Sequence, residues 1–171
     1  MIAVCREKPL VGGRCGNALL ASFMISTPLQ QLESVLNEGG LHAGLIFLNA
    51  RVAHRCTAVY KLDSSVLTLV ARVDKLDDES SSGLSDVPLT DSFCQFVVKT
   101  GPVLIVNSKN DPRVVASPYA GPVVGYVGLP LIRGPGELFG TFCHYDFCEQ
   151  PMLDEEFVFL QGAARLLPGF I

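Results

Sequence analysis

The sequence predicts an α+β domain in which a central antiparallel β-sheet carries the terminal helices on one face. Apolar residues recur at helical spacing near both ends of the chain. Between them, several segments alternate with a period of two, which is typical of strands. Two pairs of these strands are joined by short turns, so neighbouring strands run antiparallel. The long loops and a short helix then lie over the other face, where a pocket can form.

The composition is apolar and poor in charge, with 49% hydrophobic and 18% charged residues among 171. This composition excludes intrinsic disorder for most of the chain. A membrane partner is not expected, because no apolar run approaches the roughly 18 residues that a spanning helix needs. The net charge is −4 and the body of the chain has no basic stripe. Nucleic acid is therefore not expected as a partner.

The first 26 residues differ from the rest of the chain. They contain Arg6, Lys8 and Arg14 against a single acidic residue, Glu7, and they show no periodicity. We expect residues 1–26 to be a poorly ordered extension, followed by one domain over residues 27–171.

The start of the first helix is the clearest local signal. Thr27 can cap the helix, Pro28 suits its first position, and Gln30 completes a capping box. The pair Gly39-Gly40 is expected to stop or bend this helix. A second helical run is expected over residues 41–50.

Five strands and two further helices are expected after this point. The strands are predicted at residues 56–62, 66–73, 103–106, 123–133 and 138–145. A short helix is predicted over about residues 92–99, with Asp91 as its cap. The last helix is predicted to begin with Asp154 as its cap, where negative charge also suits the positive end of the helix dipole.

Six cysteines are spaced irregularly along the chain. We expect reduced thiols in a cytoplasmic protein, because a core of this size does not need disulfides. Cys143 and His144 are neighbours on a predicted strand and should point to opposite faces. A second pair of ligands is missing, so no metal is expected.

The second half of the chain resembles a GAF domain. The matching segments are FCQFVVKTGP at 93–102, VNSKNDPR at 106–113, YVGLPL at 126–131 and GELFGTFC at 136–143. The resemblance extends over about residues 28–168. It implies an antiparallel sheet with helices on one face and a ligand pocket beneath loops on the other. It also implies small-molecule sensing, often by dimers within signalling proteins.

The sequence matches individual branches of the GAF family less well than it matches the family as a whole. Cys94 lies near one cysteine of the free methionine-R-sulfoxide reductases, but Gly83 and Leu84 stand where its upstream partner is expected. Another family cysteine, expected around residues 115–118, is also missing. Covalent bilin attachment is not expected, because residues 107–125 contain no cysteine.

Seven residues are candidates for the lining of a ligand pocket. They are Tyr60, Phe93, Cys94, Phe96, Tyr119, Tyr126 and His144. Aromatic rings would supply apolar area, and hydroxyl or imidazole groups would orient a ligand. Core packing is the alternative role for each of them.

Three functions stay open at this point. The first is a non-catalytic sensor that binds an unidentified small organic ligand. The second is a redox enzyme that uses Cys94, similar to the sulfoxide reductases. The third is a ligand-free dimerisation module whose terminal helices pair across a two-fold axis. A homodimer through these helices is expected in the sensor as well. The sequence identifies neither a ligand nor a cofactor.

Overall fold

The computed structural model describes residues 26–76 and 86–171. Apart from residue 26, the expected N-terminal extension lies outside the described residues. The helices are α1 (Pro28–Arg51), α2 (Cys94–Thr100) and α3 (Asp154–Leu166). The strands are β1 (Cys56–Asp63), β2 (Val66–Asp74), β3 (Asp86–Pro88), β4 (Val103–Ile105), β5 (Gly125–Arg133) and β6 (Glu137–Asp146).

The strands form one sheet in the order β3-β2-β1-β6-β5-β4, and every neighbouring pair is antiparallel. The predicted α+β class is therefore confirmed. Hairpins join β1 to β2 and β5 to β6. The pairing of β1 with β6 joins these two hairpins at the centre of the sheet.

Helix α1 begins as its sequence predicts. The Thr27 backbone N–H donates to Gln30 Oε1 at 2.8 Å, and the Gln30 N–H donates to Thr27 Oγ1 at 3.3 Å. Gly40 has φ 68° and ψ −168°, a backbone conformation that residues other than glycine rarely adopt. The chain bends there and continues as helix, so the two predicted helical runs form one kinked element.

Two predicted caps are wrong. Asp154 lies inside the first turn of α3, and the cap position is Leu153, which has no side-chain hydrogen bond. The acidic residues there act through the helix dipole rather than by capping. Asp91 belongs to a 3-10 turn, Leu89–Asp91, which precedes α2. Strand β3 was also not predicted, because three residues are too few to show alternation.

The sheet divides the apolar core into two parts. Helices α1 and α3 cover one face, where Leu32, Leu45, Val127, Phe142 and Leu160 are buried. Helix α2 and the loop between β4 and β5 cover the other face. The predicted placement of terminal helices on one face and a short helix with loops on the other is therefore confirmed.

Membrane-spanning helices are not found in the described part of the chain. None of its helices combines the length and the hydropathy that a bilayer crossing requires.

Candidate functional site

A small cavity lies between the sheet and α2 and is partly open to solvent. Its volume is about 50 Å³. A single water needs about 10–15 Å³ on this measure, so the space takes roughly four water-sized groups. It is lined by Tyr60, Leu67, Val87, Ser92, Phe93, Cys94, Tyr119, Val123, Tyr126, Cys143 and Tyr145.

Strand alternation brings side chains from the central strands to this cavity. Tyr60 comes from β1, Tyr126 from β5, and Cys143 and Tyr145 from β6. Residues two apart on a strand share a face, so Cys143 and Tyr145 both project towards α2. A Cβ on Gly128 would collide with the hydroxyl of Tyr126 and the side chain of Val97 on α2. Because Gly128 has no side chain, Val97 on α2 and the Tyr126 ring can pack directly against β5 at this position.

The sulfur of Cys94 is surrounded by hydrogen-bonding groups. Thr141 Oγ1 donates to Cys94 Sγ at 3.2 Å, and Tyr126 Oη lies 3.3 Å from the same sulfur. Hydrogen bonding from Cys143, joined by Thr141, Tyr126 and Ser92, lowers the pKa of Cys94 to about 7, although burial opposes this. The pKa of Cys143 is raised well above its usual range by its hydrogen bond to Cys94 and by burial. Of the two thiols, Cys94 therefore loses its proton more readily.

The hydroxyl of Tyr145 is buried and has no hydrogen-bond partner among the described groups. The thiol of Cys56 lies nearby and helps to raise the pKa of Tyr145. No hydrogen bond of ordinary geometry joins this thiol to the Tyr145 hydroxyl. Burial raises the pKa of Tyr145 and of Tyr60 well above the usual range. Both hydroxyls therefore stay protonated at neutral pH. Tyr145 lines the cavity and carries a buried donor without a described partner.

No Asp, Glu, Lys, Arg or His stands among the described residues that line the cavity. A charged molecule entering it would lose hydration without gaining an ionic partner from these residues. The arrangement therefore favours an uncharged ligand with a hydrogen-bond acceptor.

The structure brings five of the seven predicted pocket residues to the cavity. They are Tyr60, Phe93, Cys94, Tyr119 and Tyr126. Phe96 packs against the same apolar cluster but does not line the cavity. His144 lies on the opposite face of the sheet, so its predicted place in the pocket is corrected. The reason is alternation along β6, which sends Cys143 and Tyr145 to the cavity and His144 to the helices.

His144 instead belongs to a buried polar cluster beneath α1. Its Nδ1 lies 2.7 Å from Thr57 Oγ1, which accepts a hydrogen bond from Asn49 Nδ2 at 2.7 Å. The His54 and His144 rings lie 6.1 Å apart. Both nitrogens of His54 and Nε2 of His144 have no described partner. Burial lowers the pKa of His54 to about 4 and that of His144 well below its usual range, so both rings are neutral at pH 7.

Cavity residues that were not predicted come mainly from the strands. Cys143, Tyr145, Leu67, Val87, Ser92 and Val123 were not among the candidates. The alternation of β6 contained the signal for Cys143 and Tyr145. A period of two shows which residues share a face, but not which face meets the cavity.

A metal centre is not evident in the described ranges, where no three His, Cys, Asp or Glu side chains are arranged to hold an ion. Cys143 and His144 project from opposite faces of β6 and belong to the two different parts of the core. They cannot ligate the same ion.

Comparison with solved structures identifies the fold. A GAF domain of an Acinetobacter phosphoenolpyruvate-protein phosphotransferase aligns with TM-score 0.67 and 16% identity over 84% of this chain and 89% of that one. A free methionine-R-sulfoxide reductase from Neisseria meningitidis aligns with TM-score 0.64 and 18% identity over 82% and 84%. The chromophore-binding domain of a Stigmatella aurantiaca phytochrome aligns with TM-score 0.66 and 10% identity over 84% and 58%.

No family profile and no curated protein matches the sequence. The structural likeness nevertheless shows that the chain has the GAF-domain fold, as its sequence predicts. Sensory domains and reductases both occur among the structures that share this fold, so the fold alone does not select one activity.

Proposed function

We propose that this chain is a non-catalytic sensor domain that binds a small, uncharged organic molecule in the cavity beneath α2. The observation that carries the proposal is the buried hydroxyl of Tyr145, which has no described partner. Buried polar groups are almost always hydrogen-bonded, and an unpaired one costs about 1–3 kcal/mol. An acceptor atom on a ligand would remove this penalty.

The volume of the cavity and the charge of its lining further limit which ligands can bind. The cavity takes roughly four water-sized groups, and the described lining offers no charged partner. Aromatic rings supply most of the contact surface, and the tyrosine hydroxyls supply orientation. The phytochrome neighbour is a chromophore-binding domain, so ligand binding occurs on this fold.

The redox-enzyme alternative has one observation in its favour, since Cys94 lies at the cavity beside a second thiol. Charge argues against it, because free methionine sulfoxide carries an ammonium and a carboxylate. The described lining has no carboxylate that would pair with the ammonium and no cationic side chain that would pair with the carboxylate. We expect no turnover of free methionine sulfoxide with dithiothreitol as reductant. Turnover that disappears in Cys94→Ala would support the enzyme instead.

The proposal is tested with two probes of the same shape, acetamide and acetate. Each is titrated into the isotope-labelled full chain while backbone amide shifts are recorded by NMR. We expect acetamide to shift amides in β6 and α2 in a saturable way. Acetate should not do so, because it would bury an unpaired charge. Equal shifts with both probes, or none with acetamide, would contradict the proposal.

Two tyrosine variants make the test specific. Tyr145→Phe removes the unused donor with little change in shape, and we expect it to weaken acetamide binding about tenfold, equivalent to about 1.4 kcal/mol. Tyr119→Phe is the matched control, because Tyr119 lines the same cavity but is only partly buried. A similar loss in both variants would show that the Tyr145 hydroxyl has no special part.

A further inference from the structure

Two buried thiols meet at the cavity. Cys94 is 5% exposed and Cys143 is 2% exposed, and neither forms a disulfide. Thr141 and Cys143 project from the same face of β6, and Thr141 Oγ1 lies 3.2 Å from Cys94 Sγ. This contact places Cys94 directly over the part of β6 that carries Cys143. Both thiols line the same cavity, and each shifts the pKa of the other.

The surroundings of Cys94 favour reaction at its sulfur. The hydroxyls of Thr141 and Tyr126 lie within hydrogen-bond distance of it. Hydrogen bonds to the charged form of a thiol stabilise the thiolate, which is the reactive species. Cys56 is buried on the same side of the sheet, but its pKa is raised to about 11, chiefly by burial. The chain therefore contains a buried thiol of the same type that provides a comparison.

The cavity also limits what can reach the sulfur. Hydrogen peroxide has two non-hydrogen atoms and no charge, so it fits a space of about 50 Å³ whose described lining has no acidic, basic or histidine side chain. A bulky peroxide or a charged oxidant would not fit without rearrangement. The site therefore favours a small neutral oxidant.

We propose that Cys94 and Cys143 form a redox pair that hydrogen peroxide converts into a disulfide between α2 and β6. This goes beyond ligand binding, since it makes oxidation a second input to the same cavity. It depends on no organic ligand, so it can fail or hold independently of the proposed sensor function.

The reaction has two steps. The Cys94 thiolate attacks one oxygen of hydrogen peroxide and the O–O bond breaks. Cys94 becomes a sulfenic acid, and the hydroxide that leaves takes up the proton that Cys94 released. The Cys143 sulfur then attacks the Cys94 sulfur and the S–O bond breaks. The leaving hydroxide combines with the Cys143 proton. Two thiols and one hydrogen peroxide give one disulfide and two waters.

The test uses the full chain with Cys5→Ser, Cys15→Ser and Cys148→Ser, which leaves Cys56, Cys94 and Cys143. The protein is treated with one equivalent of hydrogen peroxide, alkylated with N-ethylmaleimide, digested and analysed by mass spectrometry. We expect a linked pair of peptides that contain Cys94 and Cys143, while Cys56 is alkylated only after unfolding. Dithiothreitol should reverse the linkage.

Two variants separate the steps. In Cys143→Ala the sulfenic acid cannot be resolved, and the intact mass of the protein should rise by one oxygen atom, located at Cys94 by digestion. Cys56→Ala is the matched control and should form the disulfide at an unchanged rate. Three results would each overturn the proposal. They are a Cys94 that stays reduced, a disulfide that includes Cys56, and a sulfenic acid that persists at Cys94 in a chain that still has Cys143. The main assay keeps both Cys94 and Cys143, so its result does not depend on a substitution at either thiol.

Discussion

At the scale of the residue, polar atoms without a described partner lie on both sides of the sheet. Those on one side bear on ligand binding, and those on the other bear on the stability of the fold. The Tyr145 side chain lines a cavity, and its buried hydroxyl has no described partner. The ring nitrogens of His54 are packed between the sheet and the helices, and that side chain is fully buried. Tyr145 is therefore the proposed ligand-binding group, whereas His54 is expected to make stability depend on pH.

The folded chain should lose stability in acid because His54 is buried as a neutral ring. Its pKa is about 4, against about 6.5 when unfolded, mainly through burial, with Asp146 opposing and Lys75 adding to the effect. Below pH 6.5 the unfolded chain binds a proton that the folded chain does not, so stability falls as pH drops. His54→Leu should reduce the loss between pH 7 and pH 4 by on the order of 3 kcal/mol. Urea unfolding across this range measures it.

His42→Leu is the matched control for this experiment. His42 is exposed on α1, so its surroundings are similar in the folded and unfolded chain. Its substitution should leave the pH profile unchanged. The account of His54 is wrong if its variant keeps the full acid sensitivity. His144 also faces this cluster, so part of the sensitivity should remain.

At the scale of the element, the sequence predicts the start of α1 correctly, but it does not predict the caps of α2 and α3 or the directions of the β6 side chains. The start of α1 depends on Thr27, Pro28 and Gln30, which interact within one turn, so the sequence alone was enough. Alternation correctly separated Cys143 from His144. Whether the Cys143 or the His144 side chain faces the cavity depends on which helices cover each face of the sheet. The packing of these helices depends on contacts between residues far apart in sequence. Alternation alone therefore does not show that His144 faces the helices and that Tyr145 faces the cavity.

The pairing of β1 with β6 requires glycine at position 140. A Cβ there would collide with the carbonyl oxygen of Tyr60 and lie 3.0 Å from the Leu62 nitrogen. These are backbone atoms of the neighbouring strand, so they cannot move without breaking the pairing. Gly140→Ala should lower the free energy of unfolding by about 3 kcal/mol.

Gly169→Ala is the control, since nothing lies within 4 Å of a Cβ at that position. It should change stability by less than about 0.5 kcal/mol. Urea unfolding followed by circular dichroism compares the two variants. Similar changes in stability for both variants would show that the close approach of β1 and β6 does not require glycine at position 140.

At the scale of the whole molecule, the apolar composition reflects a sheet covered on both faces. One apolar cluster lies beneath α1 and α3, and a second lies beneath α2 around the cavity. Strands buried on both sides need more apolar residues than strands with one solvated face. The 49% hydrophobic content is thus explained without a membrane segment.

The terminal helices leave apolar side chains exposed, and we expect them to form a homodimer. Ile46 on α1 is 50% exposed and Val158 on α3 is 66% exposed. Val158→Lys should shift sedimentation velocity profiles towards the monomer, because it places a charge in the interface. Val115→Lys, at an exposed loop position away from these helices, should leave them unchanged. A wild-type chain that stays monomeric at high concentration would contradict this expectation.

The account depends most on the claim that the cavity takes a small uncharged molecule through Tyr145. A high-resolution crystal structure of the full chain grown with acetamide tests it directly. We predict acetamide in the cavity, with its oxygen about 2.7–2.8 Å from Tyr145 Oη. An empty cavity, or a Tyr145 hydroxyl that donates to another protein group, would contradict the claim.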